Sequence, residues 1–260
     1  MKPFATCFAV LLCTMLCLGC ASRQSQVVDA GQADVPAHRL TVVIAMSAVP
    51  LGITGHTGIA IDEEYWDFGP NRVSSKQRLQ GLGSPAGPWW DDPEQDGHAD
   101  YTLAQVLDSL PERVHPDGSV IAIFTADITA DEAQALRAYW SRTYATMARD
   151  DIRYELTHRQ CSSVGCHSLG GVAGLPGFMN ITADPTDLPP QLRVMTPTLL
   201  AAYLRLYLRH TAGPDAGRRA GADWLQLRSG RLVPYDPPFA ALLGIRGEAL
   251  AQRYHSDEIE

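Results

Sequence analysis

Residues 55 to 68, Gly55-His56-Thr57-Gly58-Ile59-Ala60-Ile61-Asp62-Glu63-Glu64-Tyr65-Trp66-Asp67-Phe68, hold the pattern on which the fold of this chain turns. Two alternating segments flank a polar turn, the signature of a β-hairpin. An even loop pairs Ile61 with Glu64, Ile59 with Trp66 and Thr57 with Phe68, and so gathers apolar side chains on one face. The other face then carries His56, Gly58, Ala60, Tyr65 and Asp67. A slip by one residue would set Asp67 opposite Ile59 and spoil both faces. The spacing therefore predicts an imidazole and a carboxylate on one side of a sheet. The small residues Gly58 and Ala60 beside them would let the helix that carries Cys161 approach the sheet closely on that same side.

Working outward, Leu40 to Ala48 is a β-branched run bounded by Pro50 and Gly52 and predicts a buried strand, as does Val120 to Phe124. Tyr101 to Leu110 predicts a short helix with Leu103, Val106, Leu107 and Leu110 on one stripe, ended by Pro111. Thr129 and Glu132 make a capping box that opens a helix to about Ala148, with Leu136, Trp140, Tyr144 and Met147 facing inward. Ile152 to Leu156 alternates as a strand. From Ser162 a short helix runs to the stop at Gly170-Gly171, which puts Cys161 at its start. Thr196-Pro197 opens another helix that buries Leu199, Leu200, Tyr203, Leu204 and Tyr207, and Trp224 to Val233 predicts a hairpin around Ser229-Gly230. Gly69 to His98, rich in Gly, Pro and charge, predicts a long surface excursion. Its Trp89-Trp90 pair is either a lid over a substrate or a plug at the edge of the core.

The chain has 260 residues, 45% of them hydrophobic, enough to bury a substantial core in one domain. With 29 acidic against 21 basic side chains, a net charge of −8 and no Lys/Arg-rich run, a nucleic-acid partner is excluded, because phosphate binding needs clustered cations. The only long apolar stretch, Phe4 to Leu18, falls short of the roughly 20 residues of a membrane-spanning helix. Met1-Lys2 before it and Leu16-Cys17-Leu18-Gly19-Cys20 after it make an export signal. The run resembles the bacterial lipobox, which implies that Cys20 is lipidated after cleavage and anchors the chain in the cell envelope, on the periplasmic face of the outer membrane. The leucine usual three residues before the cysteine is here Cys17, so a plain cleaved signal is the alternative. The expected organisation is a lipoprotein signal peptide (1–19), a flexible tether (20–38), a folded domain (39–236) and a C-terminal tail (237–260). Cleavage removes Cys7, Cys13 and Cys17 and leaves Cys20, Cys161 and Cys166.

Three of these features suit one another chemically. A thiol is a good nucleophile only as thiolate, and a helix N-terminus beside a protonated imidazole lowers its pKa below the free value of about 8.5. Cys161 stands at such a terminus. A histidine that takes its proton needs the other ring nitrogen held by an acceptor, and Asp67 shares a face with His56. About 105 residues separate His56 from Cys161, so only the fold can join them. The competing use of Cys161 is a disulfide with Cys166 in an oxidising compartment. Five residues along a helix turn side chains apart by about 140°, so an intact helix disfavours that bond, whereas a loop permits it. Cys161, Cys166 and His167 lack zinc-site spacing and no second cluster completes a set, so neither a metal nor a cofactor is expected. The remaining histidines, among them His38 and His158, show no partner pattern.

Gly55 to Ile59 with Tyr65-Trp66-Asp67-Phe68-Gly69, followed by a helix and then by Tyr154-Glu155-Leu156-Thr157-His158-Arg159-Gln160-Cys161-Ser162-Ser163, resembles the circularly permuted branch of the papain-like NlpC superfamily. That branch includes lecithin–retinol acyltransferase-like proteins and bacterial periplasmic hydrolase-like families, and the resemblance covers roughly residues 40 to 170. It implies an α+β, permuted papain-like fold, an antiparallel sheet packed against helices including one that starts at Cys161, with Cys161 as nucleophile, His56 as its base and Asp67 orienting His56. It also implies a thiol hydrolase or acyltransferase acting on an amide or ester carbonyl, in a peptidoglycan peptide or a lipid acyl group. Two residues depart from the pattern: Gln160 stands where the family often has asparagine, and Cys166 is extra. An oxyanion would be met by the Cys161 N–H and a second donor, for which Gln160 is the adjacent candidate. The alternative is a non-catalytic envelope lipoprotein that uses the same fold as a binding module, with Cys161 and Cys166 oxidised.

Overall fold

The central strand of the structure, a computed structural model, is β1 (His38–Met46), which pairs antiparallel with β2 (Gly55–Ile61) on one side and β6 (Val120–Ile128) on the other. The hairpin partner of β2 is β3 (Glu64–Asp67), and β8 (Ala220–Arg228) with β9 (Arg231–Pro234) extends the sheet beyond β6, giving the order β3-β2-β1-β6-β8-β9. The structure describes residues 37–46, 55–70, 83–87, 101–114, 117–149, 151–155, 158–170, 186–188, 192, 195–211 and 219–242. The expected signal peptide, Cys20, nearly all of the tether, the Trp89-Trp90 pair and residues 243–260 lie outside the described residues.

The β2–β3 register follows the apolar pattern: Ile61 faces Glu64 and Ile59 faces Trp66, while Gly58 faces Asp67. There the ladder stops, one pair short of the expected Thr57–Phe68 pairing. The two-residue turn puts Asp62 at φ 55, a left-handed conformation that costs a non-glycine residue energy. Its carboxylate offsets this by accepting from the Arg39 N–H at 3.0 Å and from His38 Nδ1 at 2.8 Å. His38 thus has a partner that its sequence position did not reveal. At the other end of the sheet, Ser229 and Gly230, both at positive φ, make the type I′ turn of the β8–β9 hairpin.

Alternation along β1 builds two apolar layers. Leu40, Val42, Ile44 and Met46 join Ile59, Ile61 and Phe124 under three helices: α2 (Ala130–Ala148), α3 (Cys161–Leu169) and α4 (Pro197–Thr211). Val43 and Ile121, on the opposite face, pack with Val106, Leu110 and Val114 of α1 (Leu103–Arg113) and its C-terminal cap. The short α5 (Phe239–Leu242) adds Leu242 to the larger layer. This is an α+β fold whose antiparallel sheet carries helices on both faces. Among the described residues no helix is long and apolar enough to cross a membrane.

The helix ends follow capping chemistry. Thr129 and Glu132 exchange hydrogen bonds of 2.8 and 3.2 Å at the start of α2, whose Leu136, Trp140 and Met147 are buried and whose Tyr144 packs against the core. A second box, Thr102 with Gln105 at 3.2 and 2.8 Å, opens α1. Contrary to expectation, α1 does not end at Pro111 but carries it inside and continues to Arg113. A proline near the last turn removes a single N–H donor, and the Val114 N–H still closes the helix on Leu110 O at 2.9 Å.

The expected excursion from Gly69 to His98 is also corrected. It contains β4 (Gly69–Pro70) and β5 (Gly83–Gly87), which form a second, three-stranded sheet with β7 (Arg153–Glu155) in the order β4-β5-β7. Gly83-Ser84-Pro85-Ala86-Gly87 has no side-chain alternation to announce a strand. It pairs with β7 through Gly83–Glu155, Ser84–Tyr154 and Pro85–Arg153.

Candidate functional site

The helix that carries Cys161 is buried along its whole length, from Cys161 to Leu169. Its start is set by Gln160, an extended N-cap whose N–H donates to Ser163 Oγ at 2.8 Å while the Ser163 hydroxyl donates back to Gln160 O at 2.8 Å. Gly170 caps its end. The helix lies on the Thr57/Ile59 face of β2, not on the Gly58/Ala60 face that the small residues suggested. Gly58 is covered by its own hairpin, since a Cβ there would fall 1.8 Å from the Tyr65 hydroxyl. The glycine that admits the helix is Gly165, where a Cβ would stand 3.2 Å from Thr57 Cγ2.

Helix and imidazole meet because the β2–β3 ladder ends early. Beyond Gly58 the outer edge of β2 has no strand beside it in that ladder, and the Cys161 sulfur occupies this edge, 3.9 Å from Gly55 O and within reach of the Thr57 N–H. His56 comes round from the opposite face. Its Nε2 donates to Asp67 Oδ2 at 2.6 Å, with the two side chains 10% and 2% exposed. Nδ1 is therefore the nitrogen left to face Cys161, with which the ring makes a further hydrogen bond. Asp67 is fixed in turn from α2, its N–H donating to the Tyr144 hydroxyl at 3.2 Å.

The electrostatics follow from these contacts. Burial alone pulls the His56 imidazole toward neutrality, but the charge and hydrogen bond of Asp67, helped by Cys161, raise its pKa to about 9. Burial alone would also keep Cys161 a thiol. The His56 hydrogen bond and charge, the Ser162 hydroxyl and the Thr57 N–H outweigh it and hold its pKa below the ordinary thiol range. Cys166, one turn farther along α3, has no such neighbours, and burial pushes its thiol up to about 12. Both cysteines are free. The helix is intact between them, so the geometry that disfavours a disulfide is the one observed.

The structure thus brings together Cys161, His56 and Asp67. Gln160 is buried at the N-cap with its backbone N–H already committed to Ser163, so only its side-chain amide remains as an oxyanion donor. The Cys161 N–H, in the first turn, has no acceptor within the helix. Five residues support these three through contacts that were not foreseen. Thr57 and Ser162 share a hydrogen bond of 2.9 Å, Tyr144 holds Asp67, and the Tyr139 hydroxyl lies 3.1 Å from His167 Nδ1, locking α2 onto α3. Thr57 and Ser162 each follow a candidate residue in the chain, a signal that could have marked them. Nothing in the sequence links Tyr139 to His167. Among the described residues no cluster of His, Cys, Asp and Glu is arranged to hold a metal ion. A nucleophile, a base and a carboxylate in this order can carry out acyl transfer through a thioester. Compared with protein-family models, curated proteins and solved structures, the chain matches none.

Proposed function

We propose that the protein is a cell-envelope thiol hydrolase or acyltransferase with a Cys161–His56–Asp67 site on a permuted papain-like fold. The observation that carries this reading is the buried chain of contacts from the Asp67 carboxylate through the His56 imidazole to the sulfur at the first residue of α3. In the proposed reaction the Cys161 thiolate attacks the carbonyl carbon of an amide or ester. The oxyanion is met by the Cys161 N–H and by a second donor, with the Gln160 amide as the candidate. The His56 imidazolium gives its proton to the departing amine or alcohol, leaving a thioester on Cys161. Water then completes a hydrolysis, or a second nucleophile an acyl transfer, with His56 accepting the proton of the attacking group. The substrate is a peptidoglycan peptide or a lipid acyl group, reached from a lipid anchor on Cys20 at the periplasmic face of the outer membrane.

One observation favours the second reading, a binding module without catalysis: Cys161 is only 1% exposed. The two are separated by incubating the full-length protein with an activated ester and with peptidoglycan fragments, then measuring intact mass. The enzyme reading expects an acyl adduct on Cys161 that decays with time, is absent in Cys161→Ala and forms slowly in His56→Ala. An unmodified Cys161 with every substrate would overturn it.

A further inference from the structure

Two hydroxyls stand behind the candidate nucleophile. Thr57 Oγ1 and Ser162 Oγ are 2.9 Å apart in fully buried surroundings, and Ser162 Oγ is also 3.8 Å from Cys161 Sγ. Each hydroxyl owns one proton, so the three atoms cannot all be donors to one another. While Cys161 is a thiol, its own proton can point to Gly55 O, 3.9 Å away, and the hydroxyls can orient either way. Once the sulfur is a thiolate it can only accept. The Ser162 proton then turns toward the sulfur, and the Ser162 oxygen is free to accept the proton of Thr57.

We propose that Thr57 and Ser162 form a two-hydroxyl relay in which Thr57 donates to Ser162 and Ser162 donates to the Cys161 thiolate. Ser162 is the donor that touches the reacting sulfur. Thr57 is a positioning residue that acts through it. The arrangement is asymmetric for a physical reason: in the reverse orientation Ser162 spends its proton on Thr57 and the sulfur receives none, so negative charge on sulfur selects the productive order. Hydrogen bonds in such a chain polarise one another, and a buried site of low dielectric strengthens them. The Thr57 N–H, which also reaches the sulfur, adds a second donor from the same strand residue. Because Thr57 follows His56 and Ser162 follows Cys161, the same contact sets the spacing of base and nucleophile. The relay rests on the reading of Cys161 as nucleophile.

The test measures the rate of Cys161 alkylation by iodoacetamide against pH, in the full-length protein, with the site resolved by peptide mass spectrometry, for wild type, Thr57→Ser, Thr57→Val, Ser162→Ala and the double variant. Urea unfolding of each reports stability separately. The relay expects Ser162→Ala to raise the midpoint of the profile by about half a pH unit or more, a roughly 3-fold loss of thiolate below the midpoint. Thr57→Val should raise it less, Thr57→Ser should keep the wild-type midpoint, and the double variant should match Ser162→Ala. Stability losses with unchanged midpoints would overturn the relay and leave a structural contact. So would a Thr57→Ser profile displaced as far as that of Thr57→Val. If Thr57→Val does not fold, Ser162→Ala and Thr57→Ser decide the matter. A wild-type midpoint at the ordinary thiol value of about 8.5 would instead remove the nucleophile reading itself.

Discussion

Thr57 Oγ1 and Ser162 Oγ, 105 positions apart in the chain, lie 2.9 Å from each other, and their contact staples the residue after His56 to the residue after Cys161. A buried hydrogen bond of this kind contributes about 1 kcal/mol net, whereas leaving one partner buried without the other costs roughly 1–3 kcal/mol. Ser162→Ala is therefore expected to lower the unfolding free energy by about 1–3 kcal/mol. The Ser162→Ala/Thr57→Val pair should cost less than the sum of the two single changes. Urea unfolding of the four proteins checks this, and simple additivity would contradict it.

The titrating pair makes an unusual statement about pH and stability. The folded-state pKa of His56, about 9, lies above its ordinary 6.5, so its contribution is complete below 6.5 and lost as pH rises toward 9. Cys161 is shifted the other way, so its contribution is present above the ordinary thiol value of about 8.5 and lost as pH falls through its folded value. At pH values above both 6.5 and the lowered folded value of Cys161, and below about 8.5, the folded protein holds one proton on His56 where the unfolded chain holds one on Cys161. The two slopes cancel. Stability in this window should be nearly independent of pH for the pair in wild type and should fall with rising pH in Cys161→Ala. Adding Asp67→Asn to Cys161→Ala should flatten that fall, because the carboxylate raises the His56 pKa. Urea unfolding from pH 6 to 9.5 checks the three profiles, and parallel curves for wild type and Cys161→Ala would sink the prediction.

Gly55 is held where no side chain fits. Its φ is +150, and a Cβ there would lie 2.2 Å from the Ala45 carbonyl oxygen of the neighbouring strand, a backbone atom that cannot step aside. Gly55→Ala is expected to destabilise the protein by more than about 1 kcal/mol. It should also slow Cys161 alkylation at pH 7, because Gly55 precedes His56 and its carbonyl borders the sulfur. Thermal melting and alkylation rates read the two effects, and a variant with wild-type values of both would contradict the account.

Much of this was legible before any coordinates. The Ile61–Glu64 and Ile59–Trp66 register followed from apolar patterning, because it gathers Ile59, Ile61 and Trp66 on the face that joins the larger apolar layer. The start of α2 followed from Thr129 and Glu132, a local hydrogen-bond exchange that needs no tertiary partner. The same reasoning applied to Thr102 and Gln105 would have placed the start of α1. What stayed hidden depended on contacts between distant segments. The strand at Gly83–Gly87 pairs with two distant segments, Gly69–Pro70 and Arg153–Glu155, and its own sequence has no alternation to announce it. The small residues Gly58 and Ala60 pointed to the wrong helix-bearing face because Tyr65, from the next strand, already fills the space above Gly58. The candidate triad was named from residue chemistry, but its meeting point was not. It depends on the ladder stopping at Gly58–Asp67, which opens the strand edge to the Cys161 sulfur.

The central claim is that Cys161 and His56 form a buried thiolate–imidazolium pair. Its most direct test is the rate of Cys161 alkylation from pH 4 to 10 in wild type and His56→Ala. The account predicts a wild-type midpoint clearly below the ordinary thiol value of about 8.5 and a midpoint at or above that value once the imidazole is gone. An ordinary midpoint in wild type, or an identical profile in His56→Ala, would contradict it.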